Sequence, residues 1–207
     1  MGAKVEHDLV DMIYERSYEY LAERLAAHVS AEDLDAVRRA YLMAESAHRN
    51  QMRDEGTPYI VHPLRVAVSL VDELEIYTPK LVCSALLHDV IEDSPITREE
   101  VARHFGEDVA EVVWLLTKLE HVSLAAYLRN IELSSHTGAA VVKLCDRLDN
   151  LRFLAYSNKA EKKRRYIRTT EDYYLPLAKR TNLYLHDELL RWLEEARRHV
   201  RRGAEEG

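Results

Sequence analysis

The chain has 207 residues, of which 47% are hydrophobic, and its formal net charge is −7. This length and composition predict one domain, spanning residues 1–207, with a sizeable buried core. The acidic balance excludes general nucleic-acid binding, which needs a basic surface. No apolar run approaches the roughly 20 residues of a membrane span, and the N-terminus lacks the apolar core of a signal peptide. We therefore expect neither nucleic acid nor a membrane as a partner.

Both cysteines, Cys83 and Cys145, lie in apolar stretches that are typical of buried helices. Small thiols are common core residues, and structural disulfides are rare in reducing compartments. The sequence therefore predicts two reduced cysteines and a cytoplasmic protein. It carries no signal of oligomeric state.

Almost every periodic stretch is helical and none predicts a strand, so the sequence predicts an all-α fold. In chain order, Ser30 and the acid three residues after it form a capping box, which predicts a helix to about Asp54. Pro63 suits the first position of a second helix that continues to about Leu74. That assignment puts His62 at the N-terminal cap of the second helix.

The next predicted helix begins at Thr78-Pro79, carries His88 and Glu92, and ends at Ser94-Pro95, because residues before a proline avoid helical geometry. Later helices are indicated by a second capping box, a glycine stop and further apolar periodicity. They are predicted from Thr97 to Gly106, from Glu107 to Leu116, from Ala139 to Ala155, and as two C-terminal helices that break near Pro176 to Thr181. A polar stretch is expected around residues 134–138.

An imidazole and a carboxylate, His88 and Asp89, are adjacent in an apolar segment. Burying such a charge costs several kcal/mol unless it is paired or bound to metal. Singly, His62 before a proline is most often a capping or packing residue, and Asp146 has Arg147 as an ordinary salt-bridge partner. Together, the two histidines and two aspartates form a set that binds a divalent cation and leaves positions for water and a phosphate oxygen.

The acid pair Glu92-Asp93 follows one helical turn after His88-Asp89. It could simply be an acidic helix end before Ser94-Pro95. Acids are unfavourable at a helix C-terminus, however, where the macrodipole is negative, so a functional explanation gains weight. We expect the pair to reach the mouth of the metal site without acting as ligands.

Residues 157–169 are strongly basic, with Glu161 as the only acid. The basic side chains are Lys159, Lys162, Lys163, Arg164, Arg165 and Arg168. By composition alone, such a run is most often a solvated helix face. It gains interest because a polyanionic substrate of an acidic protein needs a local basic patch, and because the run follows the Asp146 segment. Within that segment, Lys143, Asp146 and Asn150 share one helical face.

Three segments together resemble the hydrolase domain of RelA/SpoT-type alarmone enzymes, within the HD-domain metal phosphohydrolase superfamily. They are residues 51–63, residues 86–93 and residues 143–152. The resemblance spans about residues 33–180, and helices are expected to continue to about residue 202. It implies that the all-α fold is a helical HD-domain bundle.

The resemblance also implies roles for individual residues. It implies a Mn²⁺ site, although other divalent transition metals suit the same ligands, which are His62, His88, Asp89 and Asp146. It implies that Glu92 and Asp93 are the catalytic acids. Arg53 and Asn150 match residues that line the nucleotide pocket, and we add Lys143 and Arg165 to the substrate-binding set.

The activity that the resemblance implies is removal of the 3′-pyrophosphate from guanosine tetra- or pentaphosphate (ppGpp or pppGpp), which yields GDP or GTP and pyrophosphate. The expected partner is thus a small nucleotide. Bifunctional members of the family carry a synthetase domain after this one. This chain ends too soon to hold that domain as well, so we expect a stand-alone small alarmone hydrolase.

The sequence departs from the family pattern at three positions: Asp54 replaces a basic residue, Asp149 replaces a histidine, and Phe153 replaces a threonine. None is a predicted metal ligand, so hydrolysis is still expected. All three fall on the base and ribose side of the pocket, which leaves an adenosine analogue such as ppApp, or the 2′-phosphate of NADPH, as alternative substrates.

Two other functions fit part of the sequence. A general HD-domain nucleotide phosphohydrolase keeps the metal set but gives no reason for residues 51–63 and 143–152. A nucleotide-sensing module without activity would not need Glu92-Asp93 beside a metal. Product analysis distinguishes these hypotheses by release of pyrophosphate, of orthophosphate or of neither.

Overall fold

The computed structural model describes residues 17–134 and 138–205, and no β-strand occurs among them. The fold is all-α, as predicted. The chain divides into two compact units, one of Met1–Gln51 with Pro58–Thr117 and the other of Met52–Thr57 with Lys118–Gly207. The prediction of a single domain over residues 1–207 stays a prediction.

The described part of the first unit is a set of short helices joined by tight turns. They are α1 (Tyr18–Ala26), α2 (Ala31–Ala47), α3 (Val61–Asp72), α4 (Pro79–Leu87), α5 (Val90–Asp93), α6 (Arg98–Phe105) and α7 (Glu107–Leu116). Helix α4 packs against α2, α3 and α7. Its residues from Val82 to Leu87 are all buried, as expected for a continuous apolar run.

Both capping boxes occur as predicted. The Ser30 hydroxyl accepts a hydrogen bond from the Asp33 amide, and the Thr97 hydroxyl accepts one from the Glu100 amide. The side chain of each acid in turn accepts a hydrogen bond from the backbone amide of its cap residue. Gly106 ends α6 with a φ of 85°, a left-handed conformation that glycine tolerates best. Helix α2, however, ends at Ala47 and not near Asp54.

His88 and Asp89 lie in a turn between α4 and α5, whereas the sequence predicted one continuous helix. The ring Nδ1 of His88 lies 2.8 Å from the carbonyl oxygen of Ala85. In a continuous helix, that oxygen would accept the amide of residue 89. The side chain therefore replaces a helical hydrogen bond at the point where the helix is interrupted.

The second unit contains the longer helices. Its described elements are α8 (Leu124–Leu133), α9 (Gly138–Arg152), a 3₁₀ turn (Leu154–Tyr156), α10 (Ala160–Thr169), a π-turn (Thr170–Tyr174), α11 (Leu175–Thr181) and α12 (Leu183–Glu205). Helix α9 packs against α8, α11, α12 and the π-turn. The sequence analysis predicted no helix at the positions of α1 and α8. Residues 135–137 of the expected polar stretch lie outside the described residues.

The C-terminal helices were predicted to break near Pro176 to Thr181, and the break occurs at Asn182, directly after that range. Pro176 lies in the first turn of α11, and the chain leaves helical geometry only at Asn182. A proline inside a helix cannot donate to the carbonyl four residues earlier. Just before the proline, the amide of Leu175 bonds the carbonyl of Thr170, five residues earlier, so a π-turn leads into α11.

Both cysteines are free and buried, as predicted. Burial raises the pKa of the Cys83 thiol to about 12, so this thiol is a poor nucleophile at neutral pH. None of the described helices is long and apolar enough to cross a membrane.

Candidate metal centre

His88 lies in the interior of the first unit with none of its surface exposed. Its Nδ1 faces the Ala85 carbonyl, which can only accept a hydrogen bond. Nδ1 must therefore carry a hydrogen, so a neutral ring would have its lone pair at Nε2, which faces Asp89. That arrangement is typical of a histidine that binds metal through Nε2.

His62 and Asp89 lie next to His88. His62 is in the first turn of α3 and is 1% exposed. One oxygen of Asp89, Oδ2, lies 3.1 Å from Nε2 of His88 and 3.7 Å from Nε2 of His62. One ligand atom from each of the three residues lies within 4.8 Å of the others, a spacing that can hold a metal ion.

Tyr59 belongs to the candidate metal centre, although the sequence analysis predicted no role for it. Its hydroxyl donates to Oδ2 of Asp89 over 2.7 Å, and its ring packs edge-on to His62 and stacks on His48. His48 is itself buried, with Nδ1 2.9 Å from the Gln51 side-chain oxygen. Residues that bond a metal ligand orient it and tune its basicity. The phenol thus belongs to the site through Asp89.

The predicted catalytic acids occupy α5, directly after Asp89. Glu92 and Asp93 are both exposed, so water and substrate can reach them. Partial burial and the charge of Asp89 raise the pKa of the Asp93 carboxyl, while the Tyr59 hydroxyl and the nearby histidines oppose that rise. A carboxylate with a raised pKa is better matched to proton transfer near neutral pH. The catalytic role of the pair stays a prediction.

These donors fit a divalent transition metal. Two imidazoles and one carboxylate form a mixed N/O set that suits manganese, iron or zinc and leaves coordination positions for other ligands. The fixed ring of His88 and the hydrogen-bonded carboxylate of Asp89 add the outer support that such sites require.

The fourth predicted ligand, Asp146, belongs to the second unit and is 7% exposed. The ammonium of Lys143 lies 2.8 Å from its Oδ2, and the amide of Asn150 donates to its Oδ1 over 2.5 Å. The shared face predicted for these three side chains on α9 is therefore confirmed. The role of Asp146 as a metal ligand stays a prediction.

Arg53 lies in the second unit, in the turn formed by residues 52–57. Its guanidinium donates to the side-chain oxygen of Asn150 over 3.1 Å and lies 3.9 Å from Asp149. The two residues predicted to line the nucleotide pocket are thus in contact. Asp149, one of the departures from the family pattern, is buried beside them.

The basic run forms α10 and the residues just before it, and its cations fall into two groups. Lys159 and Lys162 both bind Asp54, and Lys163 donates to the Ala155 carbonyl. Arg165, the predicted substrate-binding residue, is exposed and forms no ion pair with any described residue. The lysines are bonded within the same unit, although Lys159 stays largely exposed, and the arginine is accessible to an anion.

A family model described as HD domain matches residues 40–183. The chain is 36% identical over 186 residues to a protein of Vibrio cholerae named guanosine-3′,5′-bis(diphosphate) 3′-pyrophosphohydrolase. It is 35% identical over 176 residues to the bifunctional (p)ppGpp synthase/hydrolase SpoT of Escherichia coli K12.

These matches cover 85% and 81% of this chain but 25% of each relative, so the chain spans about a quarter of their length. A solved structure of a metazoan SpoT ortholog, described as hydrolysing ppGpp with a role in starvation responses, is similar over nearly its full length. It is 29% identical with a TM-score of 0.69, and the match covers 81% of this chain and 97% of that one.

Proposed function

We propose that this chain, which belongs to the HD domain family, is a Mn²⁺-dependent hydrolase that removes the 3′-pyrophosphate of ppGpp or pppGpp. The observation that carries the proposal is the buried cluster of His62, His88 and Asp89, with ligand atoms within 4.8 Å of one another. The substrate is inferred from relatives named for this reaction, to which most of this chain is similar.

A bound divalent metal would supply Lewis acidity for activating water and for neutralising phosphate charge. The residues of the chain supply position and proton transfer. The bond from His88 Nδ1 to Ala85 orients the ring with Nε2 toward Asp89, and Tyr59 fixes the carboxylate of Asp89. In the proposal, Asp93 takes the proton of the attacking water, and Glu92 orients that water.

Four side chains of the second unit are proposed to bind the nucleotide. Arg53 and Asn150 are already paired, and a guanidinium suits bidentate binding of phosphate. Arg165 is accessible to a phosphate group. Lys143 is bonded to Asp146, so its contribution would be to place charge near that carboxylate. Asp146 is proposed as the fourth metal ligand. A cytoplasmic location is also proposed, on the basis of the two reduced, buried cysteines.

A product screen tests this proposal. Purified protein with Mn²⁺ is incubated separately with ppGpp, ppApp, NADPH, GTP and GMP, and released pyrophosphate and orthophosphate are both measured. We expect pyrophosphate from ppGpp, in amounts equal to the GDP formed, and little release from GTP or GMP. The adenosine alarmone measures how far the departures at Asp149 and Phe153 change base selection.

Comparable turnover of GTP and ppGpp would contradict the proposal and favour a general HD-domain nucleotidase. Release of orthophosphate from NADPH, without pyrophosphate from ppGpp, would reassign the substrate. Nucleotide binding with no product would favour a sensing module.

A further inference from the structure

Asp54 is the centre of a contact network within the second unit. Its carboxylate accepts hydrogen bonds from Lys162 Nζ at 2.7 Å, from the Ser157 hydroxyl at 2.8 Å and from Lys159 Nζ at 2.9 Å. Lys159 is the N-cap residue of α10, and Lys162 lies in its first turn. One side chain of the 52–57 turn therefore holds the beginning of α10, more than 100 residues later in the sequence.

This network differs from an ordinary surface ion pair. Exposed pairs contribute roughly 0–1 kcal/mol because water competes for both charges and the side chains lose entropy. Here the Asp54 side chain is 17% exposed and the Lys162 side chain 26%. The hydrogen bonds from Lys162, Lys159 and Ser157 hold the pKa of the Asp54 carboxyl well below its usual range, which indicates strong preference for the charged form.

The turn that Asp54 anchors also carries Arg53. The Arg53 amide donates to the Thr57 carbonyl, and the Gly56 amide donates to the Arg53 carbonyl, so the backbone of Arg53 closes the turn on both sides. Gly56 has a φ of 84°, which a turn this tight requires. From this turn the Arg53 guanidinium reaches Asn150 at 3.1 Å.

We propose that Asp54 is a positioning residue for nucleotide binding: its carboxylate anchors the 52–57 turn to α10 and thereby holds the Arg53 guanidinium against Asn150. The residue that departs from the family pattern thus supports the neighbouring arginine in this chain. This inference rests on the proposed function for its consequence in binding, but not for the anchor itself.

The test compares Asp54→Asn with Glu132→Gln. Both substitutions remove one negative charge from the second unit and break an ion pair, because Glu132 pairs with Arg180 at an exposed position. Glu132 has no role in the proposed site, so its variant controls for net charge. A second variant, Lys159→Gln with Lys162→Gln, removes the same contacts from the other side. Hydrogen exchange at the Arg53 and Gly56 amides and steady-state kinetics with ppGpp are measured for each.

We expect faster exchange at both amides in Asp54→Asn and in the double lysine variant, with wild-type exchange in Glu132→Gln. KM for ppGpp should rise about five- to tenfold in Asp54→Asn while kcat changes less than about twofold, as for weakened binding away from the reacting atoms. The lysine variant should reproduce that division between KM and kcat.

Exchange in Asp54→Asn equal to that in Glu132→Gln would overturn the anchor. Faster exchange with an unchanged KM would overturn its link to the nucleotide. If the wild-type protein did not hydrolyse ppGpp, the proposed function would fail, whereas the exchange measurement would still decide whether Asp54 anchors the turn.

Discussion

The ring of His88 shows how one hydrogen bond can prepare a metal ligand. The Ala85 carbonyl accepts from Nδ1, and this bond forms within the chain and does not depend on a bound ion. The hydrogen at Nδ1 and the orientation of the ring are therefore set by the fold. A ligand that is fixed in advance loses less entropy when it binds metal.

Tyr59→Phe tests the support of Asp89. The substitution removes the hydroxyl that donates to Oδ2 but keeps the ring that packs against His62 and His48. Affinity for Mn²⁺ should fall about 10-fold or more, because residues that bond metal ligands are typically worth that much. Metal titration of the purified protein measures it. Tyr41→Phe, which loses a phenol bond to Glu45 on α2, is the matched control. Equal affinities in the two variants would remove Tyr59 from the site.

Glu92→Gln and Asp93→Asn test the division between ligands and catalytic acids. Each should lower kcat by about 10²–10⁴-fold, the usual effect of removing a positioned acid or base, while metal content stays at the wild-type value. Asp108→Asn, an exposed acid on α7 of the same unit, is the control and should keep full activity. Loss of metal from either variant would place that residue in the coordination shell. Near-normal turnover would make it an ordinary acidic helix end.

The sequence predicted the residues of the cluster but not the residue that supports it. His62, His88 and Asp89 stood out because charged and imidazole groups are unexpected in apolar segments. Tyr59 carried no such signal, since an aromatic residue between Pro58 and Ile60 predicts only hydrophobic packing. Its partner lies 30 residues later, and only the fold brings the two together.

At the scale of helices, the starts were predicted better than the ends. Ser30 and Thr97 act through residues three positions away, so local sequence suffices to recognise them. The early end of α2 and the interruption after α4 depend on bonds made by the following turns. The side chain of His88 replaces a backbone bond there, which periodicity cannot reveal.

The anchor of the 52–57 turn on α10 makes stability depend on pH. The lysine and serine hydrogen bonds hold the pKa of Asp54 below its usual range. Such a group stabilises the fold at every pH above its unfolded pKa, and the contribution is lost as pH falls through the lower, folded value. Asp54→Asn should therefore lower the free energy of unfolding by about 1 kcal/mol near neutral pH.

Urea denaturation from pH 7 downward measures this difference. It should stay constant to about pH 5 and narrow only in more acidic solution, as the wild-type carboxyl takes up its proton. A difference that grew as the pH fell would contradict the assigned direction of the pKa.

At the scale of the whole molecule, charge is unevenly distributed. The chain carries −7 overall, while α10 and the residues just before it contain six of its basic side chains. The sequence alone could not tell which of these cations are accessible, because the ion pairs of Lys159 and Lys162 join residues more than 100 positions apart. The structure shows that Arg165 is exposed, as are Arg164 and Arg168.

Family membership was predictable because three short segments occur in a specific order, and the family match at residues 40–183 contains all of them. The division into two compact units was not predictable, since the polar stretch from Asp54 to Pro58 is typical of any turn and no such stretch marks residues 117–118. Contacts between distant segments define those units, and helical periodicity reports only local structure.

We propose that the cluster of His62, His88 and Asp89 holds the metal that hydrolysis of ppGpp requires. Its most direct test is to titrate metal-free protein with Mn²⁺ while measuring pyrophosphate release from ppGpp, for the wild type and for His88→Ala. We predict no release without metal, saturation at about one ion per chain, and neither metal binding nor release in the variant. Pyrophosphate release by the metal-free protein, or a normal titration of His88→Ala, would contradict the claim.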